Sequence, residues 1–189
     1  MIVLLRYIAI GLILFFGFSQ TVNSQIQNKE KNQVVGMNNY KWERDSPYSV
    51  KETADRLLVI LKNYPAVVII SRINQQENAK LQGVEIDDLE TLLFQNNALV
   101  GAIFSANPEA AFSLPIKATI WKDKTDIVRI RVTDIEQLDK IYGLNGAIEI
   151  ICDLLPPWLD ILVSDKSIEQ ITDGLPQVDK SKLRIHNKQ

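Results

Sequence analysis

The stretch that decides the fold class is Ile116-Lys117-Ala118-Thr119-Ile120-Trp121-Lys122, followed after Asp123-Lys124-Thr125-Asp126 by Ile127-Val128-Arg129-Ile130-Arg131-Val132-Thr133. Apolar and polar residues alternate on both sides of a polar break. A period of two is the signature of a half-buried strand, and two such runs joined by a short polar link make a β-hairpin. A hairpin is antiparallel, so a chain that also carries helices falls into the α+β class and not among doubly wound parallel sheets. The expectation is a single compact domain: a mixed or antiparallel sheet, packed helices and this hairpin.

Alternation also sorts the hairpin's side chains onto two faces. Ile116, Ala118, Ile120, Val128, Ile130 and Val132 share one face if the pairing has the right parity, since a slip of one residue would set apolar against charged side chains. A turn centred near Lys124 meets that condition. It pairs Trp121 with Ile127, Thr119 with Arg129 and Lys117 with Arg131. The second face then holds Lys117, Thr119, Trp121, Arg129 and Arg131: an aromatic, a hydroxyl and three cations. Like charges across a ladder repel, so Lys117 and Arg131 need an offset. Neighbouring carboxylates supply one answer; an anionic small molecule or an acidic protein surface supplies the other. Asn74 and Gln75, amides at the end of another strand, are the remaining candidate ligand contacts.

Working outward, Ser49-Val50-Lys51-Glu52 is a capping box in which the Ser oxygen accepts from the amide of Glu52. Val50, Ala54, Leu57, Leu58 and Leu61 continue at helical spacing, and Pro65 stops the helix. Tyr40 and Trp42, alternating with charged neighbours, read as a strand before it. Val67-Val68-Ile69-Ile70 is β-branched and suits a strand buried on both faces. Residues 76–82 read as a short helix closed by Gly83, and 91–94 as a strand. Asn97 is placed to cap an apolar helix over 98–104, and Asn107-Pro108-Glu109 opens another that Pro115 ends. Asp134 caps a helix over 135–142 that Gly143 closes. Asn145 is placed to cap a last helix running to Pro156-Pro157. Residues 158–163 are apolar and suit a cover for the domain, and the chain after Ser164 reads as a loose polar tail.

Composition narrows the function classes. The chain has 189 residues, 21 Lys plus Arg against 23 Asp plus Glu, and a formal charge of −2. There is no basic excess of the kind nucleic-acid binding requires. A hydrophobic fraction of 46% supports a real core. One Cys and one His exclude an internal disulfide framework and a zinc finger. Cys152 lies in an apolar run and reads as a small buried hydrophobe. His186, near the end of the chain, cannot alone hold a metal. Glu85, Asp87, Asp88 and Glu90 are an acidic group without a calcium-loop pattern. No metal and no cofactor is expected.

Residues 1–24 read as an address. Arg6 precedes the apolar residues 7–18, and Val22 and Ser24 suit the −3 and −1 positions of a signal-peptidase site. Cleavage after Ser24 puts the mature chain in the periplasm or outside the cell; retention would leave a membrane anchor. No Cys follows the run, which argues against a lipoprotein. The organisation expected is therefore a signal peptide over 1–24, a disordered leader over 25–37, an α+β domain over 38–163 and a polar tail over 164–189.

Ser46-Pro47-Tyr48-Ser49-Val50-Lys51-Glu52-Thr53-Ala54-Asp55-Arg56-Leu57 resembles the opening motif of the family called domain of unknown function 302. Asn107-Pro108-Glu109-Ala110-Ala111-Phe112-Ser113-Leu114-Pro115-Ile116-Lys117, Trp121-Lys122-Asp123, and Leu138 with Tyr142-Gly143-Leu144 resemble its later segments. The likeness runs over roughly residues 38–150. It implies a compact α+β domain, often dimeric, with no settled biochemical function. The chain departs from the family where many members read Ile-Asp-His-Ala-Ala, for here the positions are Ile73-Asn74-Gln75-Gln76-Glu77. An ionisable pair has become two amides, so no metal site or His base is carried over. It departs again at Asn96-Asn97, where many members have Asn-Pro.

The functional expectation is an exported binding or interaction module. The alternatives are a small periplasmic enzyme working through carboxylates and amides, and a membrane-anchored partner protein. A homodimer is expected as well. Ile148, Ile151, Leu154, Leu155, Trp158, Leu159, Ile161 and Leu162 exceed what one helix face hides, and two-fold pairing would bury the surplus.

Overall fold

The computed structural model describes residues 41–144 and 146–178. The segments read as signal peptide and leader, together with Tyr40, Asn145 and His186, lie outside the described residues. In chain order the elements are β1 (Glu43–Ser46), α1 (Val50–Lys62), β2 (Val67–Asn74), α2 (Gln75–Leu81), β3 (Leu89–Asn96), α3 (Asn97–Ala106), a 3-10 turn (Pro108–Ser113), β4 (Ile116–Lys122), β5 (Val128–Val132), α4 (Ile135–Tyr142) and α5 (Glu149–Leu162). The five strands form one sheet in the order β1-β5-β4-β3-β2, and every neighbouring pair is antiparallel. This is the α+β class that the hairpin implied.

One face of the sheet carries the core. The register places Phe94 beside Ile116, Leu92 beside Ala118, and Ile130 beside Ile120, and all six are buried. Helix α1 lies across β2, β3, β4 and β5 and also meets α5. The inward side chains of α3, α4 and α5 join the same apolar cluster. Among the described residues no helix is long and apolar enough to cross a membrane.

Several local expectations hold in atomic detail. Ser49 caps α1 by accepting from the Glu52 amide at 3.1 Å. Asp134 caps α4 in the same way, and Gly143 ends it at φ +60°, a left-handed conformation that glycine adopts without steric cost. Asn107 caps the 3-10 turn.

Other expectations are corrected. The first strand begins at Glu43, and Trp42 precedes it as a buried core residue. Strand β2 is not buried on both faces: it is an edge strand, and Val68 and Ile70 are exposed. Helix α3 is capped by Asn96, one residue earlier than expected, because the Asn96 side chain reaches the Ala98 amide at 2.9 Å. Helix α5 does not stop at the prolines but runs through Pro156 and Pro157 to Leu162. Seven of its residues are buried, and that packing outweighs a cost of about 3 kcal/mol for each interior proline.

The stretch after Ser164 is not loose over its described part. Ile171 and Leu175 are buried in the core. The Tyr64 hydroxyl donates to the Pro176 carbonyl at 2.7 Å and accepts from the Trp158 indole at 2.8 Å. The apolar surplus of the second half is thereby hidden within the chain. Ile148, Ile151, Leu154, Leu155, Trp158, Leu159 and Leu162 are all buried, so this region by itself no longer calls for a second copy.

Candidate functional site

The outer face of the hairpin is built as its alternation dictates, with one change of register. Trp121 lies opposite Arg129, and Thr119 opposite Arg131. Lys117 lies beside Thr133, whose hydroxyl accepts from the Lys117 amide at 3.0 Å and whose amide donates to the Lys117 carbonyl at 2.9 Å. The pairing expected from a turn at Lys124 is thus displaced by two residues, and Lys117 does not face Arg131. The turn itself is the cause. One Asp123 carboxylate oxygen accepts from the Thr125 amide, the Thr125 hydroxyl and the Ile127 amide. Asp126 takes a positive φ of 62°. This side-chain-closed loop draws Ile127 out of the ladder. A displacement of two keeps the parity, so the five residues still share a face.

The cations on that face are largely matched by carboxylates. Arg129, with a side chain only 12% exposed, has Asp123 at 3.1 Å, Asp45 at 3.4 Å and Glu43 at 3.7 Å. Glu43 also reaches Arg131 at 3.9 Å. Strand β1 supplies Glu43 and Asp45 because the register sets Glu43 against Arg131 and Asp45 against Arg129. Burial pushes the Glu43 carboxyl above its ordinary 4.5, with Arg131 and Arg129 pulling the other way. Lys117 is exposed and makes no ion pair among the described residues. Thr119 beside it, and Trp121 two positions farther along the same face, are half-buried. The offset for the cations is therefore mostly internal, and what projects is Lys117 with Arg131 at its side.

Asn74 and Gln75 lie away from this face in function. Asn74 caps α2 by accepting from the Glu77 amide at 2.9 Å, and Gln75 is the first residue of that helix. Their amides shape a strand-to-helix turn. The acidic group divides as well. Asp87 and Asp88 are exposed, whereas Glu90 is buried and takes a hydrogen bond from Arg72. Among the described residues no group of three or more His, Cys, Asp or Glu is placed to hold a metal ion. Cys152 is partly buried, and desolvation pushes its thiol up to about 11, leaving it protonated and unreactive near neutrality. Two apolar cavities of about 20 and 10 Å³ lie under α5; neither holds more than about one water.

Two arrangements escaped the sequence reading. The first centres on Arg56, 1% exposed. Its Nε donates to the Leu162 carbonyl at 2.6 Å, Nη1 to Lys166 at 2.8 Å and Nη2 to Ser164 at 2.9 Å. The guanidinium stacks 4.0 Å from the centre of the Tyr48 ring, and the Tyr48 hydroxyl donates to the Ser164 carbonyl. Ser46 and Thr53 share a hydroxyl hydrogen bond at 2.7 Å, and the Thr53 hydroxyl donates to the Ser49 carbonyl. Tyr48 and Arg56 thus join α1 to the end of α5, while Ser46, Ser49 and Thr53 lock the turn that leads into α1. The second arrangement is an ion network in which Arg72 bridges Asp55 of α1 and Glu90 of β3. A charged residue between Thr53 and Ile60, on the inward side of an apolar stripe, was the available signal for the first.

The family model described as domain of unknown function DUF302 matches residues 42–155, most of the described chain. The chain belongs to the DUF302 family. A solved structure of an uncharacterized conserved DUF302 protein from Bacillus stearothermophilus is similar to it with a TM-score of 0.52 and 17% identity. The likeness covers 60% of this chain and 88% of that one, and at this identity it speaks for the fold. No curated protein matches the chain. Arg56 falls inside the DUF302 match, whereas the carbonyls it holds, at 162, 164 and 166, fall beyond it.

Proposed function

We propose that this DUF302 chain is an exported, non-catalytic interaction module that docks an acidic protein surface on the outer face of its sheet. The observation that carries the reading is the exposed Lys117, on one strand face with the half-buried Thr119 and, farther along, Trp121, and with Arg131 opposite Thr119. A solvent-facing cation with an aromatic ring about 13 Å along the same strand face suits a protein contact better than a small anion, because the Arg129 opposite that ring is already matched by carboxylates. Support for export comes from the apolar residues 7–18 and the Val22 and Ser24 pattern.

The test uses poly-glutamate as the acidic probe, read by thermal shift against sodium chloride of matched ionic strength. Wild type should gain stability from the probe, by about 2.7 kcal/mol at 100 times its dissociation constant. The Lys117→Ala, Arg131→Ala double variant should lose that gain. Equal responses of wild type and variant would overturn the assignment. Intact mass of the protein recovered from its host checks export: the chain should begin at Gln25.

A further inference from the structure

The two edges of the sheet are built differently. Edge β1 is four residues long, and its Arg44 is tied to Asp160 of α5 at 2.7 Å. Short length and tied charges are the usual protection of an edge strand. Edge β2 is eight residues long and has no charged residue before Arg72. Among the described residues it pairs with β3 alone, so the main-chain groups on its far side meet no other strand. Val68 and Ile70 are 40% and 49% exposed, while Val67 and Ile69 pack against the core. The bare edge therefore carries an apolar pair on the outer face of the sheet.

The last described residues stand at the start of this edge. The Tyr64 carbonyl accepts from the Val67 amide, the first of β2, at 2.9 Å, and the Tyr64 hydroxyl donates to the Pro176 carbonyl at 2.7 Å. Trp158, which donates to that hydroxyl, lines one cavity together with Val67. Val178 packs against the core two residues after Pro176. Eleven residues follow, 179–189. Extended at ~3.3 Å each they reach about 36 Å, whereas the eight residues of β2 span about 26 Å. Within them Lys182-Leu183-Arg184-Ile185-His186 alternates polar and apolar side chains, the period of a strand.

We propose that residues 182–188 pair with β2 as an additional edge strand, parallel to it, with Leu183 beside Val68 and Ile185 beside Ile70. Position sets the direction, because a strand that starts from Val178 meets the Val67 end of β2 first. Parallel neighbours need a long connection between them, and the chain from α2 to α5 supplies it. Charge agrees. Residues 179–189 carry Lys180, Lys182, Arg184 and Lys188 against Asp179. The far end of β2 leads to Glu77, whose amide is bonded to the Asn74 side chain, and to Glu85, next to the Ile86 carbonyl that Gln76 holds. Both acids are exposed, and neither forms an ion pair among the described residues. A parallel course brings Lys188 to that acidic end. The tail then covers the long edge in place of the charges that protect β1. This inference stands apart from the docking reading, because it uses a different border of the molecule.

The test is amide hydrogen exchange of the full chain, in the processed form its host yields, read by mass spectrometry at about 5 and about 100 µM. In the wild type, residues 183–187 should exchange at least tenfold more slowly than an unstructured chain, equally at both concentrations. Arg184→Pro with Ile185→Pro removes an amide on each side of a strand, in a segment beyond the folded domain. It should return 183–187 to the unstructured rate and speed exchange in residues 68–73 at least tenfold, with α1 unchanged. Glu77→Lys should lower the protection of 183–187 severalfold, and adding Lys188→Glu should restore it. Unprotected residues 183–187 in the wild type, or a β2 indifferent to the prolines, would overturn the inference. Indifference to Glu77→Lys would overturn its parallel direction. Protection that grows with concentration would put the tail of another copy on the edge and overturn it too.

Discussion

Arg56 and Arg129 are both arginines with little exposure, on opposite faces of the same sheet, and they are held in opposite ways. Arg56 spends its guanidinium on three main-chain carbonyls at the end of α5 and on the Tyr48 ring. Arg129 meets three carboxylates from β1 and the β4–β5 turn. The first arrangement fixes one segment of backbone against another, and no alternative partner serves. The second is a balance of side-chain charges next to solvent, which a partner can redistribute. Residues 46–57, inside the DUF302 match, therefore mark architecture, while the surface proposed above for a partner lies in the hairpin.

The contrast breaks most sharply at Arg56. Arg56→Ala takes the donor from the Leu162 and Lys166 carbonyls, leaves the Ser164 carbonyl only the Tyr48 hydroxyl, and should cost about 3–5 kcal/mol, read as the shift in urea midpoint. An Arg129→Ala loss of similar size would erase the distinction. A milder probe of the same clamp is Ser49→Ala, which removes the α1 cap and should cost about 1 kcal/mol in the same measurement.

The smallest effect concerns pH and has opposite signs on the two faces. On the helix side, burial opposes ionisation of Asp55, but hydrogen bonds from Lys51 and Arg72 prevail and hold it below its ordinary 3.8. The unfolded chain takes up that proton first, so stability from Asp55 is present above about pH 4 and is lost as pH falls below it. On the outer face, Glu43 sits above 4.5. There the folded chain binds the proton first, and stability rises as pH falls through that raised value. Thermal melts between pH 3 and 7 should show Glu43→Gln flattening the upper part of the profile and Asp55→Asn the lower. Identical profiles for both variants would mean that the two faces do not differ electrostatically.

Much of this was legible because it is local. The period of two in the hairpin, the Ser49, Asn107 and Asp134 caps, and Gly143 each act over a few residues, and each stands where the sequence puts it. The hairpin's parity was legible for the same reason, since alternation fixes which side chains share a face. Its register was not, because the turn closes through the Asp123 side chain and alternation is blind to a shift of two. The candidate residues Lys117, Thr119, Trp121, Arg129 and Arg131 do gather on one face, but Asn74 and Gln75 turn out to form a helix start. The Arg56 clamp was hidden because its acceptors are main-chain atoms over a hundred positions away, which side-chain pattern does not encode. Ile171 and Leu175 were hidden because single apolar residues in polar sequence have no period.

The prolines in α5 bear on the order in which the chain assembles. A helix of fourteen residues is marginal alone even with favourable residues, and Pro156 with Pro157 deletes two amide donors from its middle. No side chain caps its start. Local coiling cannot hold such a segment, so it becomes helical as it settles onto the sheet and α1. The carbonyls that Arg56 grips lie at its far end and take their places only when α5 docks. Helix α5 is thus poorly suited to begin folding and well suited to complete it, its closure joining the end of the domain to the motif at its beginning.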